Sequence, residues 1–140
     1  MYASVAAFRE RFDRPDNPEL TQLTGGDFVD EPRLEQALLE ASGEMDDGFR
    51  ARYAVPLRGY ADSTAARLTQ VCCDIARYRL WSAAASEEVV RRYTQAADWL
   101  RDIAKGTLAL DAAPPGGGSA GTPAYTAPDS TFSRTTLADY

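Results

Sequence analysis

Apolar side chains recur by three and four through the middle of the chain, at Leu68, Val71, Cys72, Ile75, Tyr78 and Trp81. That spacing stacks them on one face of a 3.6-residue period and predicts a helix. Cys72 adjoins Val71 and Ala76 adjoins Ile75, so the stripe is broad enough to meet neighbours on two sides. We read it as the core helix, capped by Asp62 or Ser63 and ending near Ala84 or Ala85. A second long stripe, Leu34, Leu38, Ala41, Met45, Phe49 and Tyr53, follows Asp30-Glu31-Pro32, where negative charge suits a helix N-terminus. A third, comprising Val89, Val90, Tyr93, Ala96, Ala97, Leu100, Ile103 and Ala104, starts after Ser86-Glu87-Glu88 and stops at Lys105-Gly106. Ahead of these, Ser4 caps a short helix bearing Val5, Phe8 and Phe12, and Asn17-Pro18 opens one more turn from Glu19 to Leu23. The expected architecture is all-α: a compact bundle of about four helices over residues 1–111, with Leu38, Met45, Tyr53, Leu68, Ile75, Tyr78 and Leu100 in its core.

The pattern stops abruptly at Ala112. Residues 112–131 are rich in Pro, Gly, Ser, Thr and Ala and lack the apolar density that offsets ordering entropy, so an extended, flexible linker is expected. Phe132, Arg134, Leu137 and Tyr140 then reappear without proline or glycine, as in a short docking peptide of residues 132–140 on a tether. A frayed terminus accounts for the same composition equally well.

At 140 residues one domain with a real core is expected. No apolar run approaches the roughly 18 residues that would suggest a bilayer span. Arg9, Glu10 and Arg11 interrupt any signal-peptide core, which predicts a chain made and kept in the cytoplasm. Cys72 and Cys73 are helical neighbours about 100° apart and cannot easily bridge. One is expected to pack in the core and the other near the helix edge.

The net charge of −6 is unevenly spread: residues 1–62 carry 7 basic and 13 acidic side chains, residues 63–105 carry 7 and 5. Such a split is usually a solvated surface, but in an assembly it can set one subunit's acidic side against the next one's basic side. Glu40 and Glu44 on one part, and Arg91 and Arg92 on the other, are the candidate interface residues.

Candidate chemistry is sparse. There is no histidine, phosphate-binding glycine loop, nucleophile elbow or spaced Cys/His cluster. Asp27, Asp30 and Glu31 lack the full alternation of a calcium loop and suit capping better. Arg77 and Arg79 flank Tyr78 without forming a basic stripe. These residues assemble no catalytic, metal or cofactor site.

Several stretches in order, Met1-Tyr2-Ala3-Ser4 with Phe8 and Phe12, Leu20 to Thr24, and Arg52-Tyr53-Ala54-Val55-Pro56-Leu57, are joined by Cys73-Asp74-Ile75-Ala76-Arg77-Tyr78-Arg79-Leu80 and by Tyr93 with Trp99 to Gly106. Together they resemble the Mu-like phage family that supplies a head completion, or head–tail connector, subunit. The resemblance implies a structural virion protein with no enzymatic activity and no cofactor. Its expected form is a homo-oligomeric ring, commonly a dodecamer, in the virion neck between the portal protein and a tail-side neck or tail terminator protein. DNA would pass through its channel without specific binding, and Phe132, Arg134, Leu137 and Tyr140 would dock on the portal or a neighbouring neck protein. The alternative from another class is a small helical nucleic-acid-binding or packaging accessory protein.

Overall fold

The computed structural model describes residues 1–13, 19–24, 28–81 and 84–112. The expected linker beyond Ala112 and the expected docking residues Phe132, Arg134, Leu137 and Tyr140 lie outside the described residues. The described fold is all-α, with five helices: α1 (Val5–Phe12), α2 (Glu19–Thr24), α3 (Glu31–Phe49), α4 (Asp62–Trp81) and α5 (Glu87–Lys105). The extra turn expected after Pro18 is thus a helix of its own.

Local chemistry sets the ends. The hydroxyl of Ser4 accepts from the Ala7 N–H at 3.1 Å, and the Asp30 carboxylate accepts from the Arg33 N–H at 3.2 Å. Ser86 does the same for the Val89 N–H at 3.4 Å. Each such cap is worth about 1 kcal/mol. Gly106, at φ 79°, turns the chain into the left-handed conformation that closes α5. Helix α3 ends at Phe49, one turn before the expected Tyr53, because residues 50–53 leave the helix in a turn. Helix α4 takes Asp62 into its first turn and ends at Trp81, short of Ala84.

Helices α3, α4 and α5 pack mutually; α1 lies against α3, and α2 against both α1 and α4. Surrounded on three sides, α4 buries every residue from Val71 to Ala76. This corrects the expectation for the cysteines: both are fully buried, because α4 has no free edge at that level. Where α3 approaches α5, a Cβ on Gly48 would meet Leu100 Cβ at 3.3 Å, so glycine allows an approach that a side chain would open by a few tenths of an ångström.

Leu38, Met45, Leu68, Ile75 and Leu100 all lie in the core. Tyr53 and Tyr78 do not lie fully inside: both are half-buried. A phenol hydroxyl needs a polar partner, which holds such rings at the boundary. Tyr78 stacks on Tyr93 with ring centroids 4.0 Å apart, and Tyr53 uses its hydroxyl on the backbone of Leu110.

Candidate functional site

Three polar ties join the helices. Arg77 of α4 meets Glu19 of α2 in a two-pronged pair, Nε to Oε1 at 2.6 Å and Nη2 to Oε2 at 2.9 Å, while Trp81 Nε1 donates to Oε1 at 2.9 Å. The guanidinium also sits 4.7 Å from the centre of the Phe12 ring. Burial pushes the Glu19 carboxyl up, but the donors on Arg77 and Trp81 outweigh it and leave it below its ordinary value. The pair fastens α2, a helix too short to hold itself.

A second tie uses two residues expected at a subunit interface. Arg79 donates to Glu44 Oε2 at 2.7 Å and to Glu40 Oε2 at 3.5 Å, and the Tyr93 hydroxyl donates to Glu44 Oε1 at 3.1 Å. Glu40 and Glu44 therefore bind their own chain, linking α3 to α4 and α5. Arg92 is also engaged, 3.7 Å from buried Asp74 and 3.1 Å from Glu88. Burial raises the Asp74 carboxyl, with the Arg92 charge opposing it. Its Oδ1 makes no hydrogen bond among the described residues, and Asp74 lines a cavity of about 20 Å³ with Arg67, Gln70 and Gln95. Of the four expected interface residues, Arg91 alone is exposed and without an ion pair among the described residues.

The third tie is the chain's opening segment. The Tyr2 N–H donates to Ser42 Oγ at 3.1 Å, its hydroxyl donates to Asp46, and the Leu57 N–H donates to that hydroxyl at 2.9 Å. The Thr69 hydroxyl donates to the Tyr2 carbonyl at 3.0 Å. Beside this anchor, Met1 forms one wall of a groove of about 210 Å³ on α3, whose other walls are Pro32, Glu35, Gln36 and Leu39. Met1 is 58% exposed and Leu39 56%, so two large apolar side chains border it with nothing of the described chain covering them. The signal missed in the sequence is Leu39 itself, an apolar residue next to Leu38 and out of phase with the α3 stripe.

The thiols offer no nucleophile. Burial raises Cys72, and pushes Cys73 up to about 12, so both stay protonated at neutral pH. Among the described residues no three His, Cys, Asp or Glu side chains come together as a metal site requires, and no helix is long and apolar enough to cross a membrane.

What the fold defines is a cross-tied helical scaffold with an uncovered apolar surface. Residues 2–123 match the family described as Bacteriophage Mu, Gp36, and the chain belongs to that family of phage proteins. It is also similar to the Mu-like prophage FluMu protein gp36 of Haemophilus influenzae, 27% identical over 110 residues that make up 79% of this chain and 75% of that relative.

Proposed function

We propose that the chain is a structural subunit of a Mu-like virion, a head–tail connector whose copies form a ring between the portal and the tail-side neck protein. The observation that carries this is the family match, which takes in the whole described fold. The scaffold is consistent with it: its buried polar groups are spent on tying helices together, as a load-transmitting wedge requires. A net charge of −6 suits a channel through which DNA slides, since a basic lining would hold phosphates by counterion release. In this reading the protein resides in the virion neck, is made in the host cytoplasm, and needs no cofactor or reaction. A ring requires two different surfaces that meet head to tail.

Electron microscopy of the full chain mixed with its phage's portal tests the proposal. A ring of density capping the portal is expected, as are tailless, filled heads when the gene is deleted. Normal tailed particles from the deletion overturn it. So does salt-sensitive duplex binding by a protein absent from purified virions, which is the behaviour of a packaging accessory.

A further inference from the structure

The groove on α3 lies in reach of a segment of the same chain. Leu110 is clamped beside Tyr53, just past the C-terminal end of α3: its N–H donates to the Tyr53 hydroxyl at 2.6 Å, and that hydroxyl lies 3.3 Å from its carbonyl oxygen. The last described residue, Ala112, follows at once and packs against the core. Residues 113–140 therefore set out from one end of α3, and the groove occupies the other end of the same helix.

The distance between the two suits the chain that has to cover it. From Phe49 back to Gln36 the helix rises roughly 20 Å at about 1.5 Å per residue. A flexible chain of about 20 residues, the length that separates Ala112 from Phe132, has a root-mean-square span of roughly 22–27 Å. Effective concentration is greatest when span and linker agree in this way. Between the two ends lies Gly43, one turn beyond Leu39 and likewise exposed. A Cβ there would meet nothing within 4 Å. Gly48 makes room for Leu100, but no part of the described chain uses the space at Gly43, although glycine costs a helix about 1 kcal/mol.

The chemistry of the two sides is complementary. Met1, Pro32 and Leu39 offer an apolar floor, and Glu35 is an exposed carboxylate on its rim with no ion pair among the described residues. Phe132 and Leu137 supply apolar side chains, and Arg134 lies between them as a cation. At about 210 Å³ the groove is smaller than the roughly 300–1,000 Å³ pockets that enclose small-molecule ligands, and it suits one or two side chains.

We propose that the groove formed by Met1, Pro32, Glu35 and Leu39 is the receptor for residues 132–140 of the same chain, with Phe132 or Leu137 on Leu39 and Arg134 paired with Glu35. With the family resemblance, the expected target of the peptide is the portal or a neighbouring neck protein; the groove supplies a nearer one in the free subunit. This inference stands independently of the connector reading.

Photo-cross-linking decides it. The full chain carrying Phe132→p-benzoylphenylalanine is irradiated at low micromolar concentration and mapped by mass spectrometry. The expected result is cross-links within one chain, to Met1 or to the segment from Pro32 to Leu39. Leu39→Glu, and separately Glu35→Arg, should each reduce their yield by about tenfold, the equivalent of about 1.4 kcal/mol. Val90→Glu, at an exposed apolar site on α5, should leave the yield unchanged. Circular dichroism on each variant confirms that the helices persist. Cross-links that are absent, indifferent to both groove variants, or formed only between chains overturn the proposal.

Discussion

At the scale of single residues, the pair of Glu19 and Arg77 shows how much one buried contact can carry. Both side chains are nearly enclosed, at 7% and 12% exposure, so removing either charge leaves the other stranded. Glu19→Gln should lower stability by about 3 kcal/mol at neutral pH. The pH dependence follows from the depressed carboxyl. A group held below its ordinary value of 4.5 stabilises the fold above that value, and the contribution fades as pH falls through the folded-state value. The gap between wild type and variant in urea unfolding should therefore be full at pH 7 and shrink steadily below about pH 4. Asp74, whose raised carboxyl favours the fold in acid, is common to both proteins and cancels in the difference. An equal gap at pH 7 and pH 3 would show that the ion pair is not the source. None of this was legible in the sequence, where Glu19 reads as an ordinary acidic residue in a first helical turn.

At the scale of elements, α3 is the most informative because its two internal glycines sit in different surroundings. Gly48→Ala places a methyl 3.3 Å from Leu100 Cβ, and shifting that side chain by a few tenths of an ångström should offset the helix gain of about 1 kcal/mol that alanine brings. Gly43→Ala meets open space and should stabilise the chain by about 0.5–1 kcal/mol. Thermal unfolding should place the midpoint of Gly48→Ala below that of Gly43→Ala; equal shifts would contradict the packing described for Gly48. From the sequence both glycines read alike, as helix-weakening positions where another backbone could approach closely. The sequence did show the three long helices themselves, because five or more turns of 3.6-residue periodicity are hard to mistake. Their ends were less legible. Tyr53 continues the α3 stripe by number, yet its hydroxyl is used outside the helix. Tyr78 likewise keeps the α4 register but faces Tyr93 at the boundary.

At the scale of the molecule, the charge split was visible in the composition, but which charges are available to a neighbour was not. Glu40, Glu44 and Arg92 carry the right signs and are occupied at home. Arg91→Glu and Arg92→Glu, one position apart, should consequently differ. The first should leave unfolding by denaturant unchanged within about 0.5 kcal/mol and weaken any ring seen by electron microscopy at low salt. The second sets a carboxylate against buried Asp74 and should cost on the order of 3 kcal/mol of fold stability. If both variants unfold like wild type, Arg92 does not hold Asp74 in solution. Composition sets the residues after Ala112 apart from the bundle only as a change in apolar density along the sequence. It could not show the groove, which exists only because Met1 is brought onto the outside of α3 by the anchoring of Tyr2.

That anchoring has a consequence for the order of events during synthesis. Tyr2 leaves the ribosome 67 residues ahead of Thr69, the most distant of its hydrogen-bond partners. At about 5–20 residues per second, the opening segment waits roughly 3–13 s before its last partner is even made. A residue translated well ahead of all its partners is thus among the last to be placed. A fluorescent label beside Tyr2 would time the completion of the fold and be silent about its start.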